Sequence, residues 1–516
     1  MPCYAFGIAQ LPAPASAASQ RFDILDFAID GNSVLEAAAI ERAIYPHMGP
    51  DRTIDDVEAA RSALENAYRE AGYQTVLVVT PEQEVRDGVV ALQVIEGRLE
   101  RVKVTEARYF SLQPISDAVP ALAAGGVPNL AAAQHQLESV ALQARDREVT
   151  PILRAGSQPG LVEAELRVKD TLPLHGEIEI NNRSSSQTSP TRVLASLRYD
   201  NLWQRFHSFS LQYQTAPEDR AVDVWSGTYA MPLSDDWHLA AYYAKFDSQS
   251  AVASAGAVAV LGTGELAGLR LIDRLPSLGG YSHSLSLGVD RKHFEQSIVL
   301  LGADDQNTPI SYLPFALRYD GSWKETDDSL TSVSAAANFS LRGIGNHQQQ
   351  FEDKRFLARS DYLYLVLEAQ RLQMLPADFR LRLRLAGQLS DSPLISNEQY
   401  SLGGADSVRG YHESEVLGDQ GVTASAELQS NLLLAQRWPQ FDGLRLAVFT
   451  DAGTVWTKEA LPGTPGSEAI AGAGVGVHFS ALRRIAGSFE WAYPLASAGS
   501  VSAGDPRAHF SLSAEF

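Results

Sequence analysis

Cysteine is almost absent: one, Cys3, in 516 residues. This excludes an intramolecular disulfide and any redox or metal centre built from several thiolates. Cations are in deficit too, with 42 Lys and Arg against 62 Asp and Glu and a formal net charge of -20. A nucleic-acid footprint needs clustered Lys and Arg for the phosphates, so no nucleic-acid partner is expected. No apolar run reaches the roughly 18 residues of a spanning helix; the longest, residues 251–262, is short and rich in Ala and Gly. The chain also lacks a phosphate-cradling Gly-x-x-x-x-Gly-Lys-Ser/Thr loop, a Gly-x-Ser-x-Gly elbow and a His-Glu-x-x-His pair. Its 11 His are scattered without ligand spacing. The expectation is no cofactor, no metal, no catalytic residue and no enzyme activity.

A transmembrane β-barrel survives these exclusions, because its strands need only about 10 residues of alternating character. Residues 1–20 carry Ala-x-Ala spacing without a basic start or a long apolar core, and read as a truncated export signal or a disordered Pro/Ala tail. Residues 22–97 then read as strand, helix, helix, strand, strand. Thr53 with Asp56 three positions on forms a capping-box pattern, and Val57, Leu64 and Tyr68 follow at helical spacing up to Gly72. Runs at 74–79 and 88–95 are punctuated as a hairpin by Pro81 and Asp87-Gly88. A second unit, 98–170, repeats the order, with a strand at 99–105, helices at 115–122 and 130–142, and a hairpin at 150–153 and 161–168. This order, the Tyr68-x-x-x-Gly72-Tyr73 stretch and Glu96-Gly97 resemble polypeptide-transport-associated (POTRA) domains. Small modules with an open strand edge can receive an extended segment of another chain.

From Glu177 onward the helical pattern gives way to short alternating runs broken by turn residues. Leu381, Leu383 and Leu385 alternate with Arg380, Arg382 and Arg384; Leu285, Leu287 and Val289 alternate with Ser284, Ser286 and Asp290; Phe510, Leu512 and Ala514 alternate with Ser511, Ser513 and Glu515. The pattern lasts far longer than a soluble sandwich needs, and at roughly 21 residues per strand and connection it accommodates about 16 antiparallel strands. Leucines then face lipid and arginines a watery lumen. Hydrocarbon tolerates no open sheet edge, so the sheet must close. Tyr199, Trp203 and Phe206, Trp237 with Tyr242 and Tyr243, and Trp491 with Tyr493 fall where interfacial girdles are expected. Gly472, Gly474 and Gly476 alternate within a strand, which points to close approach of another backbone rather than to a nucleotide loop. Asp235-Asp236, Asp304-Asp305 and Asp327-Asp328 fall in connections and read as solvated.

One stretch is specific. Gly403, Gly404, Val408, Arg409, Gly410 and Tyr411, followed by Gly418 and Asp419, resemble the signature loop of two-partner secretion transporters, the hemolysin/filamentous hemagglutinin secretion and activation family. A second block of that family is matched by Phe449, Asp451 and Gly453, and Phe516 resembles the terminal aromatic insertion signal of outer-membrane barrels. The resemblance implies a loop between the eleventh and twelfth of sixteen strands that folds into the lumen, with Arg409 meeting Asp451 on the inner wall. Alternation agrees: Leu444, Leu446 and Val448 share one face, and Arg445, Phe449 and Asp451 the other. The implied organisation is a tail at 1–21, POTRA-like modules at 22–97 and 98–170, and a barrel at 171–516. The implied function is translocation of a large unfolded β-rich exoprotein of hemolysin or adhesin type from periplasm to cell surface, with outer-membrane lipid and the barrel assembly machinery as further partners. Family members usually carry an N-terminal plug helix; about 20 residues precede the first module, so the plug is expected to be absent or encoded upstream. An outer-membrane assembly factor, a passive solute porin and an outer-membrane hydrolase are the rival readings. The first usually carries more modules, the second needs neither modules nor the loop, and the third lacks its nucleophile.

Overall fold

The computed structural model describes residues 21–516 except 145, 187, 219–221, 249–250, 255–257, 262, 296, 299–305, 308 and 434–440. Cys3, the export-signal spacing, part of the apolar run 251–262 and the Asp304-Asp305 pair lie outside the described residues. The chain divides into two compact units, 1–172 and 173–516.

The first unit repeats one pairing scheme. Strand Asp26–Asp30 runs parallel to Val89–Glu96, which is antiparallel to Val76–Val79. Further along, Arg98–Thr105 runs parallel to Leu161–Asp170, itself antiparallel to Arg147–Ala155. Helices Ala37–Ile44 and Ile54–Glu70 belong to the first set, and Leu112–Asp117 and Leu130–Gln143 to the second. The capping box forms: the Thr53 N–H donates to Asp56 Oδ2 at 2.9 Å. Val57, Leu64 and Tyr68 are buried against Ile24, Phe27, Val78 and Leu92, and Gly72 turns the chain with φ +93°. The apolar stretch near residue 22 is two strands, because the N–H groups of Leu25 and Asp26 both donate to the Gly88 carbonyl and break the run; Phe22–Ile24 pairs instead with Gly49–Arg52.

The second unit is a closed antiparallel barrel of sixteen strands. They are β1 Leu174–Asn181, β2 Arg192–Leu202, β3 His207–Thr215, β4 Val222–Pro232, β5 Trp237–Ser248, β6 Thr263–Leu278, β7 Tyr281–Glu295, β8 Ile310–Tyr312 continued by Pro314–Lys324, β9 Leu330–Ser340, β10 Leu363–Met374, β11 Arg380–Ser390, β12 Gln420–Gln429, β13 Phe441–Trp456, β14 Ser467–Ala481, β15 Ile485–Pro494 and β16 Arg507–Glu515. Connections after even-numbered strands are mostly tight turns; those after odd-numbered strands are mostly longer, and 341–362 and 391–419 are the longest.

Alternation decides which side chain faces where. Leu385 is 54% exposed on the outer face, while its neighbour Ala386 is 7% exposed on the inner one. Ile178, Leu197, Leu287, Leu446, Val448 and Leu512 are likewise exposed, whereas Asp290, Arg445 and Asp451 are buried inside. A soluble protein rarely leaves so continuous an apolar skin uncovered. A bilayer removes it from water at roughly 25 cal/mol per Å². One aromatic departs from the girdle expectation: Tyr242 points inward, and its hydroxyl donates to Asp290. Its outward neighbour Tyr243 remains exposed.

Closure is made by β16 on β1, from Ser511 opposite Asn181 to Glu515 opposite Glu177. Asn182 extends the seam, its side chain donating to the Ala508 carbonyl at 2.7 Å. Gly176 and Phe516 exchange backbone hydrogen bonds of 3.1 and 2.9 Å. A Cβ on Gly176 would lie 2.0 Å from the Phe516 ring, so the aromatic sits on bare backbone.

Candidate functional site: a loop clasped inside the barrel

Residues 391–419 join β11 to β12 and turn back into the lumen. Gly403 and Gly404 both take φ +106°, a left-handed conformation that favours glycine, and a Cβ at Gly403 would lie 2.4 Å from the His412 carbonyl. Leu402, Val408, Tyr411 and Val416 are buried with Val455 and Ile470 from the wall. The Tyr411 hydroxyl donates to the carbonyl of Ala496 or Ala471, at 2.7 and 3.0 Å. Gly410 has φ +100°, and its N–H donates to His509 Nε2 at 3.0 Å.

Arg409 is the centre. Its Nε and Nη2 reach the two oxygens of Asp451 at 2.8 and 3.0 Å, a bidentate pair. Nη1 donates to Glu427 at 2.5 Å and to Glu490 at 3.1 Å, and the backbone N–H donates to Asp451 at 3.1 Å. The guanidinium carbon lies 3.4 Å from the Phe449 ring centre, a cation–π contact. Ser425 donates to Asp451 at 2.6 Å, and His478 Nε2 lies 3.4 Å from Glu427 and 3.8 Å from Glu490. One guanidinium therefore offsets three buried carboxylates supplied by β12, β13 and β15. Glu427, His478 and Glu490 are close enough together to hold a metal ion, but the cation between the two glutamates is Arg409. The wall is pared to fit. A Cβ at Gly472 would meet the Arg409 carbonyl at 2.0 Å, and one at Gly474 the Phe449 ring at 2.6 Å. At Gly453 the obstacle would be Leu402, at 2.9 Å.

A second polar hub lies at the base of the same loop. Asp419 is wholly buried; it accepts from Arg355 Nη1 and Nη2 (the latter at 2.8 Å), from Leu394 N–H at 2.8 Å and from Lys458 N–H at 2.7 Å. Gly418 fits beside it because a Cβ there would lie 2.7 Å from that of Val455. Glu398, also buried, receives Lys292 Nζ at 2.6 Å and the hydroxyls of Tyr364 at 2.7 Å and of Tyr312. Above these groups Phe351, from helix Gln348–Lys354, packs with Tyr362, Leu394 and Ile395 against Phe246, Phe294, Tyr312 and Tyr364. This apolar plate joins residues of β4 to β8 and β10 with residues of the 341–362 and 391–419 connections, at the end carrying the long connections.

Of the residues singled out from sequence, Val408, Arg409, Gly410, Tyr411, Phe449, Asp451 and Gly453 converge on one face. Gly418 and Asp419 serve the second hub, and Phe516 lies at the seam. Missed were Glu427, Glu490, His509, Arg355, Lys292 and Glu398, whereas Gly472 makes the close backbone approach that its alternation pointed to. The inward positions of Glu427 and Glu490 were readable from alternation, but which loop would reach them was not. Arg384, expected to face water, donates to Glu368 at 2.6 Å and to the Asp406 carbonyl of the loop.

Comparison with known proteins gives this geometry its context. The profile described as haemolysin secretion/activation protein ShlB/FhaC/HecB matches residues 163–479. The chain belongs to that family. A POTRA domain of ShlB type matches residues 22–97. Among curated relatives, an outer membrane transporter CdiB of Dickeya dadantii is 24% identical over 445 residues, covering 82% of this chain and 74% of its own. A heme/hemopexin transporter protein HuxB of Haemophilus influenzae is 21% identical over 401 residues, covering 75% and 68%. Among solved structures, CdiB from Escherichia coli superposes with TM-score 0.64 at 18% identity, covering 98% of this chain and 93% of that one. BamA from Haemophilus ducreyi lacking POTRA domains 1–3 gives 0.60 at 14% identity, covering 96% and 100%. Fold likeness alone thus spans CdiB and BamA; the family match assigns the chain to the secretion/activation family. Its barrel lies in the outer membrane and its POTRA region in the periplasm, so the connections after odd-numbered strands are the extracellular ones.

Proposed function

We propose that the protein conducts an unfolded partner polypeptide, a large β-rich exoprotein of hemolysin or adhesin type, from the periplasm to the cell surface. The modules at 22–97 and 98–170 receive it, and the barrel at 171–516 passes it. The repeated pairing order supports a second POTRA-like receiver at 98–170, and the outward leucine skin supports contact with lipid. Phe516 on its glycine seat is read as the residue engaged by the barrel assembly machinery before closure. No catalytic role is proposed. The chain has no ATP cradle, so the drive is capture and folding of the exported chain outside, which makes return unfavourable.

The observation that carries this reading is the clasped loop. A passive pore has no use for a lumenal segment held by an ion cluster, whereas a conduit for a chain needs an internal part fixed in place. The test is removal of the gene followed by comparison of secreted and membrane proteins. Loss of one large exoprotein, restored by the intact gene but not by Arg409→Ala, is expected; a general loss of outer-membrane proteins would establish assembly instead.

A further inference from the structure

The hydrogen bonds holding residues 403–415 to the barrel run to β12–β16, to the 496–500 connection and to the 182–184 connection, and Arg384 of β11 also holds the loop. Among the described residues no such anchor reaches β3–β9, so the free lumen lies along that side. Short hydroxyls recur on its inner face, on β3 and β4 and again on β7, β8 and β9, with Tyr242 of β5 and Arg270 of β6 between them. Ser282, Ser322 and Ser332 stand directly opposite one another on β7, β8 and β9. Ser284 and Ser334 flank Asp320 in the next row, and Ser210 of β3 faces Thr228 of β4. Two of the cations on this side are neutralised by neighbouring carboxylates within the wall. Arg318 holds Asp320 at 2.8 and 2.9 Å, and Arg270 holds Asp290 at 2.6 and 2.8 Å. The face ends upward at the aromatic plate, where Phe246, Phe294 and Tyr312 begin.

We infer that this serine wall is the track along which the exported polypeptide slides, in extended form. The inference rests on the translocation reading above and assigns that path to one side of the lumen. A hydroxyl both donates and accepts, so it meets the N–H and the C=O of an extended backbone whichever way the residue faces. Each such bond replaces one to water and is worth only about 0.5–1.5 kcal/mol net. Short side chains bring no large aromatic face that would retain particular residues. Conduction needs contact favourable enough to enter and weak enough to leave. The Arg318–Asp320 and Arg270–Asp290 pairs add little net charge to the wall, unlike the charged rings that select small ions.

Cysteine scarcity makes the test clean. In a Cys3→Ser background with Arg355→Ala to loosen the mouth, single cysteines replace Ser210 or Ser334 on the track, Ser488 on the loop side, or Leu287 on the lipid face. Each full-length variant is checked for a closed barrel by heat-modifiable gel migration, treated with a bulky maleimide and placed in a planar bilayer. An unfolded 60-residue peptide of Gly, Ser, Asn and Thr, free of cysteine, is the probe. Adducts at Ser210 and Ser334 should cut peptide blockades at least ~3-fold while those at Ser488 and Leu287 leave them unchanged. Blockades that persist with both track adducts overturn the track but leave translocation standing. Absence of peptide blockade from every variant, with ion current reduced by the adducts, overturns the track as a polypeptide path and the translocation reading with it.

Discussion

Arg409 brings one positive charge to a pocket holding Asp451, Glu427 and Glu490, so its loss leaves three buried carboxylates facing one another. Breaking a buried pair on one side typically costs about 3–5 kcal/mol. Arg409→Ala should therefore lower the temperature of the heat-modifiable gel shift and abolish secretion. Arg409→Lys should recover little, because an ammonium cannot serve Asp451 bidentately while reaching both glutamates. Gly472→Val tests the same clasp from the wall: its Cβ falls 2.0 Å from the Arg409 carbonyl, so the barrel should insert while the loop is displaced and secretion is lost. At Tyr68, burial with the added charge of Glu96 pushes the phenol from 10 up to about 12. The native state holds the neutral form, so this contribution is complete below pH 10 and is lost as pH rises toward 12. The helical circular-dichroism signal, which comes mainly from the first unit, should lose thermal stability over that window. Tyr68→Phe should lose less.

At the scale of elements, the extracellular lid depends on a few polar links beneath an apolar plate. Arg355 ties the 341–362 connection to Asp419, and Lys292 ties β7 to Glu398. Arg355→Ala leaves Asp419 with its backbone donors but frees helix Gln348–Lys354. We expect larger single-channel conductance in planar bilayers and greater sensitivity of cells to bulky antibiotics. Unchanged conductance would show that the plate alone holds the mouth. The same elements mark where the sequence could be read. The strands carrying the loop and the Asp451 block were visible because alternation is local and their motif is specific. The Arg355–Asp419 tie was not, since 64 residues separate its partners and no periodicity predicts how a connection folds. Clustering with Trp237 and Tyr243 places Tyr242 in an interfacial region, whereas parity turns its ring inward to Asp290.

For the whole molecule, the barrel has two surfaces of opposite character, and its solubility follows from the outer one. The purified protein should precipitate when detergent falls below its micelle-forming concentration and remain a heat-modifiable barrel above it. Substituting a mid-strand outward leucine such as Leu385 by Arg should cost roughly 2–4 kcal/mol of stability in lipid, measured by urea unfolding in vesicles. Arg384→Leu on the inner face should spare insertion but remove the bonds to Glu368 and the loop.

The seam has a consequence in time. Asn182 and Ala508, bonded across it, stand 326 positions apart, so the ring cannot shut until almost the entire barrel sequence has emerged. Until then two raw strand margins travel through water, each with unpaired amides able to recruit any stray β-segment. A polypeptide organised this way must be chaperoned between synthesis and insertion, and slowing the arrival of β16 should convert it into aggregate rather than into a smaller pore.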